Sequence, residues 1–584
     1  MRLLNTVAVG AAMLAAVLGT SDPAFANARI VIMNFDGPNE GFNDPTPVTP
    51  LSNNTGRTLG ERRMIAVRYA ASIWEQMLDS PAEIRILASF DPLACTAGGA
   101  TLAAAGATHR FADFDSLPSF AGPVAPGVWH HAALADKRFG ADLVPFDPSF
   151  PFGPFPDIQV IFNLNLDAGC FNGGFYYGLD TNEPANQSNI VATALHEMGH
   201  GLGFSQFANT TTGAQTSNLP DVYNRFLFDA SAGKTWPEMT NAERAASAIN
   251  ARKVVWNGPA VIAAAPTVLQ HGTPVLIIGA PAAVAGTYQI GAASFGPQLT
   301  LELPPITAPV VQALDDANAA GPTTFDGCTA ISNATAVAGK IAIVDRGTCG
   351  FTVKVKNAQD AGAIAVLVAD NAAGSPPAAM GGGDPAIVIP SVRVTQSDGN
   401  LIKANLAAGV NATLGLDTSL LAGADASGRV YLNSPNPLVP GSSISHFDPL
   451  AFPNLIMEPA INADLTHSVR APQDLTLELF RDIGWYADAD VDGFADDRDA
   501  CPTAFDSRAT VVVAGTNTGV TNDFLTTGCT LQDLVNGVEI QAVNHGDFVS
   551  GVTHIVNGLR DAGLIDNGER KAIHEAASRS LGSR

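Results

Sequence analysis

The chain has 584 residues, enough for three or four folding units, and with 46% hydrophobic and 15% charged residues it can bury a substantial core. A formal net charge of −24 leaves nothing to neutralise a run of phosphates, which excludes nucleic acid as a partner and suits a soluble exported protein. The 56 Gly and 39 Pro exclude long coiled coils and predict many turns in a strand-rich build.

Residues 1–26 carry a basic Arg2, an apolar stretch from Val7 to Leu18 and the small-residue site Ala24-Phe25-Ala26, with Ala26-Asn27-Ala28 as an alternative. This pattern predicts a signal peptide, because the apolar run is shorter than the ~18–20 residues that a membrane span needs. No later segment is long enough and free enough of Pro and Gly to cross a bilayer, so the expectation is a secreted, extracellular protein without a membrane span. The even set Cys95, Cys170, Cys328, Cys349, Cys501 and Cys529 predicts disulfides in an exported chain. Position along the chain favours pairing of neighbours, 95 with 170, 328 with 349 and 501 with 529, without fixing it.

The first region, residues 27–257, opens with the strand ARIVIMNF and a helix TLGERRMIAVRYAASIWEQML, where Thr58 and Glu61 form a capping box. DIQVIFNLNL at 157–166 alternates apolar residues at period two and reads as a strand. A second helix is expected near 188–203, carrying His196-Glu197-x-x-His200. Histidines four apart lie one turn apart on one helix face, so both imidazoles can reach one tetrahedral zinc, and Glu197 lies beside the open position, placed to take a proton from the attacking water. Gly199, Gly201 and Gly203 surround these residues, although each helical glycine costs about 1 kcal/mol. Gly203 is placed to end the helix and redirect the chain.

HEMGHGLGF resembles the metzincin signature HExxHxxGxxH, except that Gln206 stands where the third histidine of the short form would be. In leishmanolysin-like metzincins the third histidine follows an inserted segment, and a methionine turn lies under the metal. Ser445-His446-Phe447-Asp448 followed by PNLIMEP resembles that arrangement. The resemblance implies His446 as the third zinc ligand and Met457 as the methionine-turn residue. From the residues alone, His271 and His467 stay open as third ligands, as does a site completed by Glu243. The strand 157–166 is expected either to lie along the cleft and pair with an extended peptide, as such a strand does in metzincins, or to be an ordinary buried strand.

Between 258 and 424 the composition shifts to Ala, Val, Gly and Pro with short β-branched runs, a strand-rich unit of its own. Residues 326–372, with the core GKIAIVDRGTCGF, resemble the protease-associated (PA) domain, and the likeness runs through IPSVRVTQSDGNLI to about Leu406. Such domains are non-catalytic lids or interaction modules in peptidases, which implies contact with substrate or another protein. Residues 425–486 return to the character of the first region.

Asp488, Asp490, Asp492, Asp496 and Asp499 stand at positions 1, 3, 5, 9 and 12 of a calcium-type loop with Gly493 at position 6, within a segment at 487–505. The Ala500-Cys501-Pro502 that follows resembles a thrombospondin type 3 repeat, which implies Ca2+; a solvated acidic linker is the plain alternative. The tail, 506–584, has helical patterning from about 529 to 580, including two amphipathic helices with a turn near GLIDNGE.

The expected fold is α+β: a metzincin-like catalytic domain in two parts, 27–257 and 425–486, split by an inserted strand-rich α/β PA domain, with a small helical C-terminal tail. The expected function is that of a secreted zinc metalloendopeptidase, with Zn2+ on His196, His200 and His446, Glu197 as general base, Ca2+ in the Asp-rich loop and a peptide or protein as substrate. The alternative is a secreted calcium-dependent binding or adhesion protein whose peptidase scaffold does not turn over.

Overall fold

The structure, a computed structural model, describes residues 28–580 apart from 97–98, 115–126, 145–154, 172, 185, 461–464, 487–495, 497–498, 505, 507, 524 and 526. The proposed signal peptide, Asp488, Asp490 and Asp492 lie outside the described residues.

The first core begins with strand β1 (Ile30–Asn34) and helix α1 (Leu59–Met77). Thr58 and Glu61 cap α1 reciprocally, satisfying donors that a helix start leaves free, a contribution of about 1 kcal/mol. Strands β2 (Ile84–Asp91) and β3 (Ala103–Ala107), helix α2 (Ala132–Phe139) and strand β4 (Ile158–Asn163) follow, then helix α3 (Ile190–Leu202) and helix α4 (Pro259–Val268). The sheet order is β1-β2-β4-β3; β1, β2 and β4 are parallel, and β3 runs antiparallel to β4 at the edge. Of the two expectations for 157–166, the ordinary buried strand holds and the cleft-lining one is corrected. β4 is interior and stops at Asn163, whose side chain caps a helical turn at Leu164–Asp167, and the edge position belongs to β3. The run AAAGA of β3 has no period-two pattern because only Ala103 is buried.

The middle of the chain forms a second sheet: β5 (His271–Ala280), β6 (Gly286–Tyr288), β7 (Gly291–Ala292), β8 (Ile306–Gln312), β9 (Ile341–Asp345), helix α5 (Phe351–Asp360), β10 (Ala365–Ala369), β11 (Ser391–Val394), helix α6 (Gln396–Asn405) and β12 (Asn411–Leu421). Its order is β6-β5-β12-β8-β9-β10-β11-β7, with β8 to β11 parallel. Alternate residues of β9 and β10 enter opposite cores: Ile341, Ile343 and Leu367 pack on the α6 side, and Ala342, Val344 and Val366 on the α5 side. Burial on both faces explains why these strands read as unbroken apolar runs.

The chain then returns to the first core, which is assembled from residues 28–269 and 421–486 and includes helix α7 (Thr476–Asp482). Trp74, Trp236, Trp256 and Trp485 are fully buried in it. The tail has a separate core built from a hairpin, β13 (Thr510–Val513) and β14 (Thr516–Thr521), and helices α8 (Leu531–Gln541), α9 (His545–Asp561) and α10 (Asn567–Arg579). Disulfides join Cys95 to Cys170, Cys328 to Cys349 and Cys501 to Cys529. Among the described residues no helix is long and apolar enough to cross a membrane.

Candidate metal centre

α3 starts at Asn189, whose side-chain oxygen accepts from the Val191 and Ala192 amides. Its apolar face, Ala194, Leu195, Met198 and Leu202, is fully buried, which anchors a helix that its glycines would otherwise weaken. Two tryptophans fix it further: Trp74 Nε1 donates to the Leu195 carbonyl (3.2 Å) and Trp485 Nε1 to that of Leu202 (2.8 Å). The remaining face presents His196 and His200 one turn apart.

All three glycines mark close approaches, Gly203 with a Cβ position 2.6 Å from Ile483 Cδ1. A Cβ on Gly199 would stand 2.7 Å from the Met457 sulfur, and one on Gly201 would stand 2.2 Å from Ile158 Cγ2. Gly203 has φ +139°, where a side chain is strained, and its N–H donates to the carbonyls of Gly199 (3.2 Å) and His200 (3.3 Å). The turn it makes brings the Phe204 carbonyl back to His200 Nδ1, 2.8 Å away.

His446 arrives from the second stretch of chain and completes a tripod. The three Nε2 atoms are 3.1 Å (196–446), 3.1 Å (196–200) and 3.2 Å (200–446) apart. A tetrahedral zinc with Zn–N of about 2.0–2.1 Å spaces its ligand atoms about 3.3–3.4 Å apart, so this triangle has the size of one coordination face. The other ring nitrogens fix the tautomers. Nδ1 of His196 faces the Ile456 carbonyl (2.6 Å), that of His200 faces Phe204 (2.8 Å) and that of His446 faces Ser442 (2.9 Å). A carbonyl oxygen only accepts, so each Nδ1 carries the proton and each Nε2 turns a lone pair toward the other two. Three converging lone pairs repel unless a cation sits among them, and an all-imidazole set suits zinc and its neighbours rather than calcium. Burial, the largest cause in each case, pushes His196 down to about 4, His200 to about 3 and His446 well below its usual range, which keeps all three in the neutral, ligating form. Among the described residues, no other group of three or more His, Cys, Asp or Glu comes close enough to share an ion.

Glu197 is 6% exposed, and burial pushes its carboxyl up to about 8. A buried carboxyl one residue along the helix from the first ligand histidine is suited to proton transfer.

Residues that the sequence did not single out hold the second half of the site. The turn 455–458 is pinned by two buried carboxyl groups: Glu458 accepts from the Leu455 amide (2.9 Å) and Asp474 from the Ile456 amide (2.6 Å). Its carbonyls serve both ends of the tripod, Ile456 accepting from His196 and Met457 from the Phe447 amide next to His446 (2.9 Å). Tyr223 donates from its hydroxyl to the Ile444 carbonyl (2.9 Å). On the far side of α3, the buried His131 meets the Ser205 hydroxyl (2.8 Å), which donates to the His200 carbonyl (3.2 Å). Lone Asp, Tyr and Ser residues in turns carry no spacing signal, so nothing in the chain marked them.

The other histidines and acids lie elsewhere. His271 is exposed on β5, His467 stays outside the tripod, and Glu243 caps a short helix and pairs with Lys234 (2.6 Å). Asp499 is 8% exposed and accepts from the Cys501 amide (2.6 Å), beneath Gly528; Asp496 lies in a turn.

Residues 306–402 match the family model of the PA domain. Over 51 residues the chain is 47% identical to ER degradation-enhancing alpha-mannosidase-like protein 3 of Xenopus laevis, covering 9% of this chain and 6% of that protein. The Homo sapiens protein of the same name is 48% identical over 50 residues, 9% of this chain and 5% of that protein. The chain therefore spans only a small fraction of the curated relatives it matches. Among solved structures it is similar to an aminopeptidase from Aneurinibacillus sp. strain AM-1, with 25% identity over 26% of this chain and 31% of that one, at a TM-score of 0.19. It is also similar to BSAP, a zinc aminopeptidase from Bacillus subtilis, with 24% identity over 27% of this chain and 36% of that one, also at 0.19. In both cases the chain spans about a third of the solved protein's length.

Proposed function

We propose that this chain is a secreted zinc metalloendopeptidase of the metzincin type, with one catalytic domain in two parts around the PA insertion; the expected bounds 258 and 424 move inward to about 270 and 421, because residues 259–269 and 421–424 pack in the first core. The observation that carries the reading is the tripod of His196, His200 and His446, with three Nε2 atoms 3.1–3.2 Å apart and every Nδ1 held by a backbone carbonyl. When bound, zinc polarises a scissile carbonyl and makes water acidic near neutral pH. Glu197, one residue from the first ligand, takes the proton from the attacking water and returns it to the departing amine. The edge strand β3 packs beside α3 and offers its outer backbone groups to an extended peptide, which favours cleavage inside a chain. Export by the N-terminal segment and Ca2+ at Asp488, Asp490, Asp492, Asp496 and Asp499 belong to the same proposal.

The test is digestion of casein by the zinc-loaded protein, with the products read by mass spectrometry. Internal fragments are expected. Release of single N-terminal residues alone would replace the endopeptidase reading with an aminopeptidase. A protein that holds zinc and cleaves nothing would favour a calcium-dependent binding protein.

A further inference from the structure

The third ligand sits on a closed loop, residues 433–446. Its ends meet through the Asn433 amide, which donates to the His446 carbonyl (2.9 Å), and the Ile444 amide, which donates to the Asn433 carbonyl (2.7 Å). Inside it, Asn433 Nδ2 donates to Ser442 Oγ (2.9 Å), and the Ser442 carbonyl orients His446. Two residues before the ligand, Ile444 is fully buried at φ +73°. A β-branched side chain in that region costs on the order of 1–3 kcal/mol and persists only where its surroundings over-determine it. Tyr223 and Asn433 supply two of the constraints.

A third constraint comes from the inserted unit. The connection between β10 and β11 reaches this loop, and Ser375 pairs with Asn436 as an isolated antiparallel bridge. The Ser375 amide donates to the Asn436 carbonyl (2.7 Å) and the Asn436 amide to the Ser375 carbonyl (2.5 Å). The approach is so close that a Cβ on Gly374 would stand 2.9 Å from the Asn436 oxygen. The bridge is a contact separate from the chain crossings near 270 and 421, where the unit is joined covalently.

We propose that the inserted unit positions the third metal ligand: the bridge between Ser375 and Asn436 holds loop 433–446 in the strained form that aims His446 at His196 and His200. This rests on the tripod being a metal site. Anything that engages the 371–382 connection then acts on metal affinity, and by linkage the metal acts on the bridge.

The test uses the full chain with Co(II) as probe. Gly374→Val, which forces the two backbones apart, is expected to weaken Co(II) binding about tenfold or more and to change the visible absorption of the tetrahedral site. Gly381→Val, in the same connection but with no atom within 4 Å of the added carbon, is expected to bind as wild type does. In the wild-type protein, stripping the metal is expected to speed hydrogen exchange at the Ser375 and Asn436 amides while β10 is unchanged, a readout that needs no substitution. Gly374→Val with wild-type affinity and spectrum, or exchange that is indifferent to metal, would overturn the coupling while leaving the tripod intact. A wild-type protein that takes up no Co(II) would overturn the metal reading and the coupling together.

Discussion

Gly199 and Met457 are in contact across the two stretches of chain that build the first core: a methyl group on Gly199 would stand 2.7 Å from the Met457 sulfur and 3.3 Å from its Cε. The glycine between the two ligand histidines is therefore a packing requirement, since it lets the turn at 455–458 reach the helix. Gly199→Ala would gain about 1 kcal/mol in helix propensity, but Met457 is fully buried and overpacking costs about 1–3 kcal/mol. The expected net result is a lower melting temperature. In a double-mutant cycle with Met457→Ala, the alanine at 199 should cost much less, measured by calorimetry.

Asp474 accepts from two amides, Ile456 (2.6 Å) and Thr476 (2.7 Å), and so sets the position of the carbonyl that binds His196. Asp474→Ala leaves both donors unsatisfied. We expect zinc affinity to fall about 10–100-fold, as it does when partners of metal ligands are removed, and this is checked by chelator competition.

Asp136 and Asp157 form a buried carboxyl pair, both raised above the ordinary carboxyl range, by burial first and in Asp157 also by repulsion from Asp136. In the folded state burial pushes Asp157 up to about 8, whereas an unfolded Asp releases its proton near 3.8. Between those values the folded state binds more protons, so this pair makes stability fall as pH rises through that window. Asp157→Asn keeps an acceptor for the Arg85 amide and a permanent donor for Asp136. The variant should therefore show a flatter dependence of melting temperature on pH between 5 and 8 and gain relative to wild type at pH 8.

Glu197→Gln is nearly isosteric and cannot accept the water's proton. It should retain zinc and lose about 10²–10⁴-fold in casein turnover. Loss of metal in this variant would make the residue structural rather than catalytic.

What the sequence made legible follows from the range of each interaction. The two histidines of α3 and its closing Gly203 are local, so spacing exposes them, and the β-branched runs of β9 and β10 mark a strand-rich unit. His446 is brought in from a distant stretch, and only a resemblance could point to it. The edge role of β3 stayed hidden because AAAGA packs one side chain and leaves the rest partly or fully exposed, and Asp474 stayed hidden because it acts through a backbone amide that no spacing rule encodes. For 157–166 the buried-strand alternative holds and the cleft alternative does not, because alternation reports burial and says nothing of a strand's place in the sheet.

The most direct measurement is zinc bound per chain at equilibrium dialysis, for wild type and for His446→Ala. About one zinc in the wild type and a loss of about tenfold or more in affinity in the variant are expected from a three-histidine site. A variant that binds zinc as tightly as the wild type would contradict the tripod, and with it the peptidase built on it.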